Sequence, residues 1–302
     1  MTLKELKMTL GEIKCAVCHS DKIYLKYSKE QIDAKLDLLG CRNCGLSFLA
    51  PESEQVSEEN KYWDNAKQVK IYSEEQIEEN FKKDFLRKLG LVRSFFREKG
   101  RLLDVGCGTG QFLNIAKGEG WDVYGLDISE GVSCIAKEKY GIRVFVGKPE
   151  TFESYGIAFD CVTLWDVIEH IKDPLLSLKA VHSHMKDEGL LVIRTPSESA
   201  LIRKKIRFLA GLGIMSFLKY VYYTPHYFYF QKKTLRLLLE QAGFKVEKVM
   251  LENTDVDFAK SKIDAHYKTK EKLLAKFILP VMNFLSNIFG MQNKLVVIAR
   301  KI

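Results

Sequence analysis

The stretch that decides the fold runs from Arg101 to Gly110 and reads RLLDVGCGTG. An apolar strand over residues 101–105 is followed at once by Gly106, Gly108 and Gly110, and then by a helical pattern to about residue 117. Glycine has no Cβ, so a ligand can lie against the bare backbone of such a loop. A glycine loop alone is weak evidence, but a loop placed between a strand and a helix is typical of nucleotide-binding sheets.

A carboxylate at the end of the next strand narrows the choice of ligand. Asp127 follows the strand predicted over residues 122–126, about 20 residues beyond Gly106, where it can accept both ribose hydroxyls of an adenosine. The third glycine comes one residue too early for a dinucleotide fingerprint, and no lysine follows Gly110 as a P-loop requires. Asp104 is unsuited to a pyrophosphate but suits a cationic amino acid group. The sequence therefore predicts an adenosine-bearing, phosphate-free, positively charged ligand, and S-adenosylmethionine fits.

Apolar strands and helical patterns continue to alternate after this unit, which predicts an α/β fold with a doubly wound parallel sheet. Helix starts are expected at Ser129 and at Asp173-Pro174, and Gly141 is expected to end a helix. The further strands are predicted over residues 142–146, 159–165, 190–195, 244–251 and 295–300.

Four segments of this region carry a family resemblance: LLDVGCGTG, GLDIS, FDCVTLWDVIEHIKDP and LLVIRTP. Over roughly residues 85–302 they resemble class I S-adenosylmethionine-dependent methyltransferases of the ubiquinone-biosynthesis-like group. The resemblance implies a Rossmann-like seven-stranded sheet with an antiparallel last strand. It implies a methionine end of the cofactor lined by Asp104, Gly106, Gly108 and Gly110. It also implies that Asp127 holds the ribose and Ile128 packs on the adenine, and that Glu150 contacts the adenine although the usual aspartate is absent there.

The N-terminal segment contains two cysteine pairs, Cys15 with Cys18 and Cys41 with Cys44. Two residues between thiolates let one tight turn direct both sulfurs at a single ion, and four thiolates close a tetrahedral shell. We therefore predict a structural Zn²⁺, which would supply much of the folding free energy of so small a segment. Disulfides are the alternative, disfavoured in a cytosolic chain. His19 adjoins Cys18 and could substitute, but four cysteines suffice.

The cysteine segment also sets the predicted domain organisation. Residues 1–50 form a zinc ribbon, residues 51–99 a helical connector, and residues 100–302 the S-adenosylmethionine-binding methyltransferase domain. Apolar insertions fall near residues 199–230 and 258–292. A ribbon that runs into L-x-F-x-x-P and an acidic, aromatic connector is similar to zinc-ribbon methyltransferases of polysaccharide and natural-product pathways.

Methyl transfer to a hydroxyl requires a base, and two candidates are present. Asp166, Glu169 and His170 stand at helical spacing, so one turn would place them on one face. Some quinone-pathway O-methyltransferases carry a similar motif that binds a divalent metal, which implies Mg²⁺ or Zn²⁺ here; alternatively, the motif organises the loop by hydrogen bonds. His226 is the second candidate base, with an ordered histidine in an aromatic lid as its alternative.

Composition limits partners and location. A hydrophobic fraction of 46% and a charged fraction of 28% exclude wholesale disorder. The pI near 8.9 permits nucleic acid or anionic lipid as a partner. The longest uncharged stretch, residues 277–293, is too short to span a bilayer, and the N-terminus lacks a secretory signal, so a cytoplasmic location is expected. The insertions predict either a hydrophobic lid over the acceptor or a patch that docks on the inner face of the membrane.

The leading functional hypothesis is O-methylation of a small-molecule, glycan or lipid-linked acceptor. An RNA-modifying methyltransferase that uses the ribbon for nucleic-acid contact is the second hypothesis. It is disfavoured because the strand over residues 159–165 is not followed by the Asn/Asp-Pro-Pro-Tyr/Phe motif of amino-group methylation. A non-catalytic cofactor-binding scaffold is the third.

Overall fold

The structure, a computed structural model, describes residues 13–51, 75–222, 226–254 and 280–302. Its N-terminal part is a small antiparallel sheet with one short helix. The elements are β1 (Ile23–Tyr27), α1 (Lys29–Ile32), β2 (Leu38–Cys41) and β3 (Ser47–Leu49). We call residues 13–51 the ribbon. The two cysteine pairs lie in the turns before β1 and between β2 and β3, which brings them to one end of this sheet.

Helix α2 (Glu75–Arg93) leads from the predicted connector toward the main sheet. It ends six residues before the predicted end of the helical connector at residue 99. Ser94 accounts for the end, because its Oγ donates to the carbonyl of Leu91 at 2.7 Å and competes with continued helix.

The main sheet has seven strands, as predicted. They are β4 (Arg101–Val105), β5 (Asp122–Asp127), β6 (Arg143–Val146), β7 (Phe159–Trp165), β8 (Met185–Pro196), β10 (Phe244–Glu252) and β11 (Lys294–Lys301). Their order is β10-β11-β8-β7-β4-β5-β6, and β11 runs antiparallel to both of its neighbours. β8 begins at Met185, five residues before the predicted start, because Met185 pairs with Phe159 ahead of a bulge.

Helices cover the sheet between these strands. They are α3 (Gln111–Gly118), α4 (Glu130–Tyr140), α5 (Pro174–Ser183), α6 (Leu201–Gly211), α7 (Lys232–Gln241) and α8, residues 280–288. The predicted caps are present: Ser129 and Asp173 accept backbone N–H groups at the starts of α4 and α5, and Gly141 ends α4 with φ of 60°. The carboxyl ends of β4, β5, β7 and β8 meet at one edge, which is where ligands bind in such sheets.

The ribbon is joined to the main sheet through the two-stranded ladder that β3 forms with β9 (Phe228–Tyr229). Cys15, Cys41 and Phe48 pack in the same apolar core as Leu235 and Leu238 of α7. The ribbon and the main sheet therefore share a core, although the sequence predicts a domain boundary at residue 50.

The first apolar insertion forms α6 and the turn that follows it. Several of its apolar side chains face solvent: Phe208, Leu212, Ile214 and Phe217. Residues 258–279 of the second insertion lie outside the described residues, and its remainder, on α8, also exposes Val281, Phe284 and Ile288. Within the described ranges, no helix combines the length and apolarity needed to cross a bilayer.

Candidate active site

A cleft of about 380 Å³ opens at the carboxyl edge of the main sheet. It is lined by the ends of β4, β5, β7 and β8 together with residues from α2 and from the segment before β9. Its volume lies in the range of small-molecule sites. Every residue proposed from the sequence as a cofactor or catalytic group lines this cleft except Gly110.

The glycine loop forms the floor of the cleft. Gly106 has φ of 72°, and a Cβ there would lie 2.4 Å from Cγ2 of Val167, so only glycine fits. Gly110 does not line the cleft, and its ligand contact stays a prediction. Its φ is 78° and a Cβ would lie 2.8 Å from Cβ of Ala136, so Gly110 lets α3 pack closely on α4.

Asp127 is held in place by the loop that it faces. One carboxylate oxygen accepts the N–H of Gly108 at 2.8 Å, and the other accepts the N–H of Ser129 at 2.9 Å. Ile128 follows at the cleft wall. The arrangement presents a fixed carboxylate beside an apolar side chain, which suits a ribose and its base.

Asp104 lies at the bottom of the cleft, where it is only 3% exposed. Thr163 donates to its Oδ1 at 2.6 Å. Burial raises the pKa of Asp104 to about 7. A buried carboxylate of this kind is stabilised by a cationic group from the ligand, so the site fits the ammonium group of a methionine moiety.

Glu150 lies in the 3-10 turn Pro149–Thr151 at the rim of the cleft. Its Oε2 accepts the hydroxyl of Ser177 on α5 at 2.6 Å. The hydrogen bond fixes the position of this carboxylate beside the Asp127 end of the cleft.

The opposite wall brings together Glu169, His170 and His226, which offer ligand atoms within 4.8 Å of one another. The two imidazole rings are in edge contact with centroids 4.7 Å apart. Burial, followed by the nearby His170, lowers the pKa of His226 well below its ordinary value. His226 is therefore neutral at neutral pH and can accept a hydrogen bond.

Glu169 is 1% exposed, and Thr195 donates to its Oε2 at 2.8 Å. Its Oε1 has no hydrogen-bond partner within the described part of the chain. Burial and then the charge of Asp166 raise the pKa of Glu169 to about 7. A carboxylate that titrates near neutrality is suited to general-base work.

The prediction that Asp166 joins Glu169 and His170 on one helical face is wrong in geometry. Asp166 precedes the 3-10 turn Ile168–His170 and has a left-handed backbone with φ of 61°. Its carboxylate is bound at 2.6 Å by both Arg194 and Lys294. Although burial opposes it, these cations hold the pKa of Asp166 well below its ordinary range.

These cations belong to a buried charge cluster that the sequence reasoning missed. Asp84 of α2 binds Lys88 at 3.0 Å and Arg194 at 3.0 Å. Burial lowers the pKa of Lys88 to about 8, and the ammonium lies over the rings of Phe85 and Trp165 at the cleft. The four-residue spacing of Asp84 and Lys88 is a signal for an ion pair on a helix, but gives no sign that the pair is buried.

The four ribbon cysteines form one cluster. The Sγ atoms of Cys15 and Cys44 are 3.6 Å apart, and those of Cys18 and Cys41 are 3.5 Å apart. A disulfide requires about 2.05 Å, whereas thiolates on a tetrahedral Zn²⁺ with bonds of about 2.3 Å lie somewhat under 4 Å apart. The cluster therefore has the geometry of a four-cysteine zinc site, and His19 stays outside it, bonded to Gln241.

Comparison with known sequences gives a consistent result. The family described as "Methyltransferase domain" matches residues 72–249. A ubiquinone biosynthesis O-methyltransferase of Ruegeria pomeroyi is 36% identical over 117 residues, which cover 37% of this chain and 46% of that protein. Another, from Dinoroseobacter shibae, is 30% identical over 152 residues, covering 48% and 60% respectively. The chain thus spans about half the length of the curated relatives it matches.

Among solved structures, the magnesium protoporphyrin IX methyltransferase of Synechocystis PCC 6803 with bound SAH is similar in fold. The TM-score is 0.52 at 14% sequence identity, with 80% of this chain and 97% of that chain covered. At this identity the similarity concerns the fold alone.

Proposed function

We propose that this chain, a member of the methyltransferase domain family of class I S-adenosylmethionine-dependent enzymes, methylates oxygen on a small-molecule, glycan or lipid-linked acceptor. One observation carries this proposal. The carboxylates suited to the cofactor, Asp104 and Asp127, and the base candidates Glu169, His170 and His226 line the same cleft.

The cofactor role of the near wall follows from its charges. When bound, S-adenosylmethionine supplies an electrophilic methyl group on a sulfonium. Asp104 would hold the ammonium of the methionine moiety and Asp127 the ribose hydroxyls, while Ile128 packs on the adenine and Glu150 offers it a polar contact. Gly106 and Gly108 keep the backbone open to the ligand.

The far wall would remove a proton from the acceptor. The Glu169 carboxylate, with a pKa of about 7, takes the hydroxyl proton while the acceptor oxygen attacks the methyl carbon. The bound cofactor would supply the methyl group and leave as S-adenosylhomocysteine, and the proton taken from the acceptor would remain on Glu169. His170 and neutral His226 hold the acceptor oxygen in line, and burial of this wall excludes water.

A magnesium ion at Asp166, Glu169 and His170 does not fit these residues. Arg194 and Lys294 already neutralise Asp166, and the group that converges contains two imidazoles, whereas Mg²⁺ prefers oxygen ligands. We derive no step through a metal at this wall. At Cys15, Cys18, Cys41 and Cys44 the fit to a structural Zn²⁺ is good, and that ion would have no open position for catalysis.

A lipid-linked acceptor is favoured by the exposed apolar side chains of α6, α8 and their turns. Phe208 is 69% exposed and Phe284 65%, and Lys204 and Lys205 are exposed beside the first of them. Both segments leave the sheet next to Pro196 and Lys294, which line the cleft. This surface would hold an anionic membrane near the acceptor entrance. Flotation with anionic liposomes should show binding that salt weakens; no binding would remove this acceptor class.

The function is tested with isotope-labelled S-adenosylmethionine and a cell extract separated into lipid, glycan, small-molecule and RNA fractions. We expect label in a lipid, glycan or small-molecule fraction, bound through an ether or ester oxygen. Label in RNA would overturn the acceptor class and support the nucleic-acid alternative. Absence of transfer by a protein that binds the cofactor would leave a scaffold role.

A further inference from the structure

One helix of the methyltransferase domain fastens both cysteine turns of the ribbon. At the start of α7, Nε2 of Gln231 donates to the carbonyl of Gly45, the residue after Cys44, at 2.8 Å. At its end, Nε2 of Gln241 donates to the carbonyl of Val17, between Cys15 and Cys18, at 2.6 Å. Each metal-binding turn is thus joined to a different end of the same helix.

The second of these turns also leads into the strand that pairs with β9, which begins two residues after His226. β3 follows the second cysteine turn, and its Ser47 and Phe48 pair with Tyr229 and Phe228 of β9. The N–H of Leu49 donates to the carbonyl of Tyr227 at 2.8 Å. The N–H of Tyr227 in turn donates to the carbonyl of Glu169 at 2.8 Å, so the segment from His226 to β9 lies between the ribbon and Glu169.

We propose that the four-cysteine metal site positions His226. The metal site does so through β3, β9 and the two glutamines of α7. The ribbon is too small to hold β3 by its own core, so the ion would fix this strand and, through the ladder, the imidazole opposite His170. The proposal rests on the zinc site and on the base candidates Glu169, His170 and His226 proposed above. It makes the ribbon part of the wall that these residues form.

The first test removes zinc from the full chain and needs no acceptor. The protein carries ¹³C-labelled histidine, and the His226→Gln variant identifies the His226 signal. We expect chelation to move or broaden the His226 and His170 signals and to leave that of His184, which bonds Ser154 of the methyltransferase domain, in place. Addition of Zn²⁺ should restore the spectrum.

The affinity for S-adenosylhomocysteine, measured by calorimetry, distinguishes a displacement of His226 from unfolding of the whole protein. It should change less than about twofold on chelation, because Asp104 and Asp127 are held by β4, β5 and their loops. An unchanged His226 signal in the zinc-free protein would overturn the proposal, as would loss of cofactor binding in step with the histidine change.

The second test leaves the metal in place. Gln231→Glu and Gln241→Glu each keep an acceptor oxygen but lose the amide donor to the cysteine turn. Each should speed zinc release to a colorimetric chelator about three- to tenfold, the effect of one lost hydrogen bond, and shift the His226 signal. Gln31→Glu is the matched control, because the exposed Gln31 accepts from Ser28 within the ribbon and makes the same charge change.

Equal zinc-release rates in all three variants would contradict the coupling. Failure of the O-methylation proposal would appear separately, as absence of label transfer, because neither the histidine spectrum nor zinc release depends on an acceptor.

Discussion

The cofactor half of the cleft takes both of its principal carboxylates, Asp104 and Asp127, from one continuous stretch of chain, whereas the acceptor half collects Glu169, Thr195 and His226 from three separated segments. In the first half, Asp127 is bonded to the loop that it serves. In the second, Glu169 is set by Thr195 of β8, and the His226 segment by the ribbon. We therefore expect that cofactor binding and acceptor chemistry can be altered independently, because the two halves are held by different parts of the fold.

The largest expected effect is on the acceptor half. Glu169→Gln keeps the shape and the acceptor oxygen for Thr195 but removes the titrating carboxylate, so methyl transfer should fall about 10²- to 10⁴-fold. The measurement is the initial rate of label transfer into the accepting fraction, with S-adenosylhomocysteine affinity expected to stay as in the original protein.

The pH profile sharpens the same point. The Glu169 carboxylate must be ionised to act as a base, so the rate should rise as pH increases through about 7 and be lost as pH falls below it. Glu153→Gln, at an exposed acid, is the control and should keep both rate and profile. A full rate in Glu169→Gln would show that this wall does not take the proton.

The next effect is on the cofactor half. Asp127→Ala should weaken S-adenosylhomocysteine binding about 100-fold or more, since two hydrogen bonds to a charged group are lost. Calorimetry measures it. Asp122→Ala, at the exposed other end of β5, should bind normally. Normal binding in Asp127→Ala would refute the assignment of the ribose contact.

A smaller effect is expected of pH on the affinity for S-adenosylhomocysteine, the product that the cofactor becomes. The pKa of Asp104 is raised to about 7, and only its ionised form attracts an ammonium group. Affinity for S-adenosylhomocysteine should therefore rise about tenfold between about pH 6 and about pH 8, with proton release on binding at the lower pH. The Asp104→Asn variant should bind weakly with a flat profile; an unchanged slope in that variant would assign the titration to another group.

The smallest effect concerns the buried cation beside the cofactor half. Lys88 lies at the cleft and would hold the carboxylate of the methionine moiety, so Lys88→Met should weaken S-adenosylhomocysteine about three- to tenfold. Methylthioadenosine lacks the amino acid group and should bind as before, which is the internal control. Asp84 remains paired with Arg87 and Arg194 in this variant. Equal losses for both ligands would mean that Lys88 supports the fold instead.

Residue patterns were a good guide where the structure is local. The glycine loop, Asp127 and the caps at Ser129 and Asp173 act within a few residues of their partners or at the end of the next strand, so spacing carries the information. Gly110 shows the limit of that reasoning. Its neighbours in sequence indicate a ligand contact, but they do not reveal the close packing against Ala136 on the next helix.

Long-range charge pairing was not readable in the same way. The spacing of Asp166, Glu169 and His170 predicts one face of a helix, but Arg194 and Lys294 capture Asp166 from two other strands. Burial of Lys88 depends on α2 packing against the sheet, which its helical pattern does not reveal.

The succession of strands and helices along the chain, the glycine loop with its carboxylate and the paired cysteines could thus be read from the sequence itself, because alternation of apolar residues, glycine geometry and thiol spacing act over short distances. Only the tertiary structure decided that His226 lies near Glu169 and that the ribbon pairs with the strand beside His226. Those contacts join residues far apart in the chain, and their energy comes from burial and pairing that exist only once the core has formed.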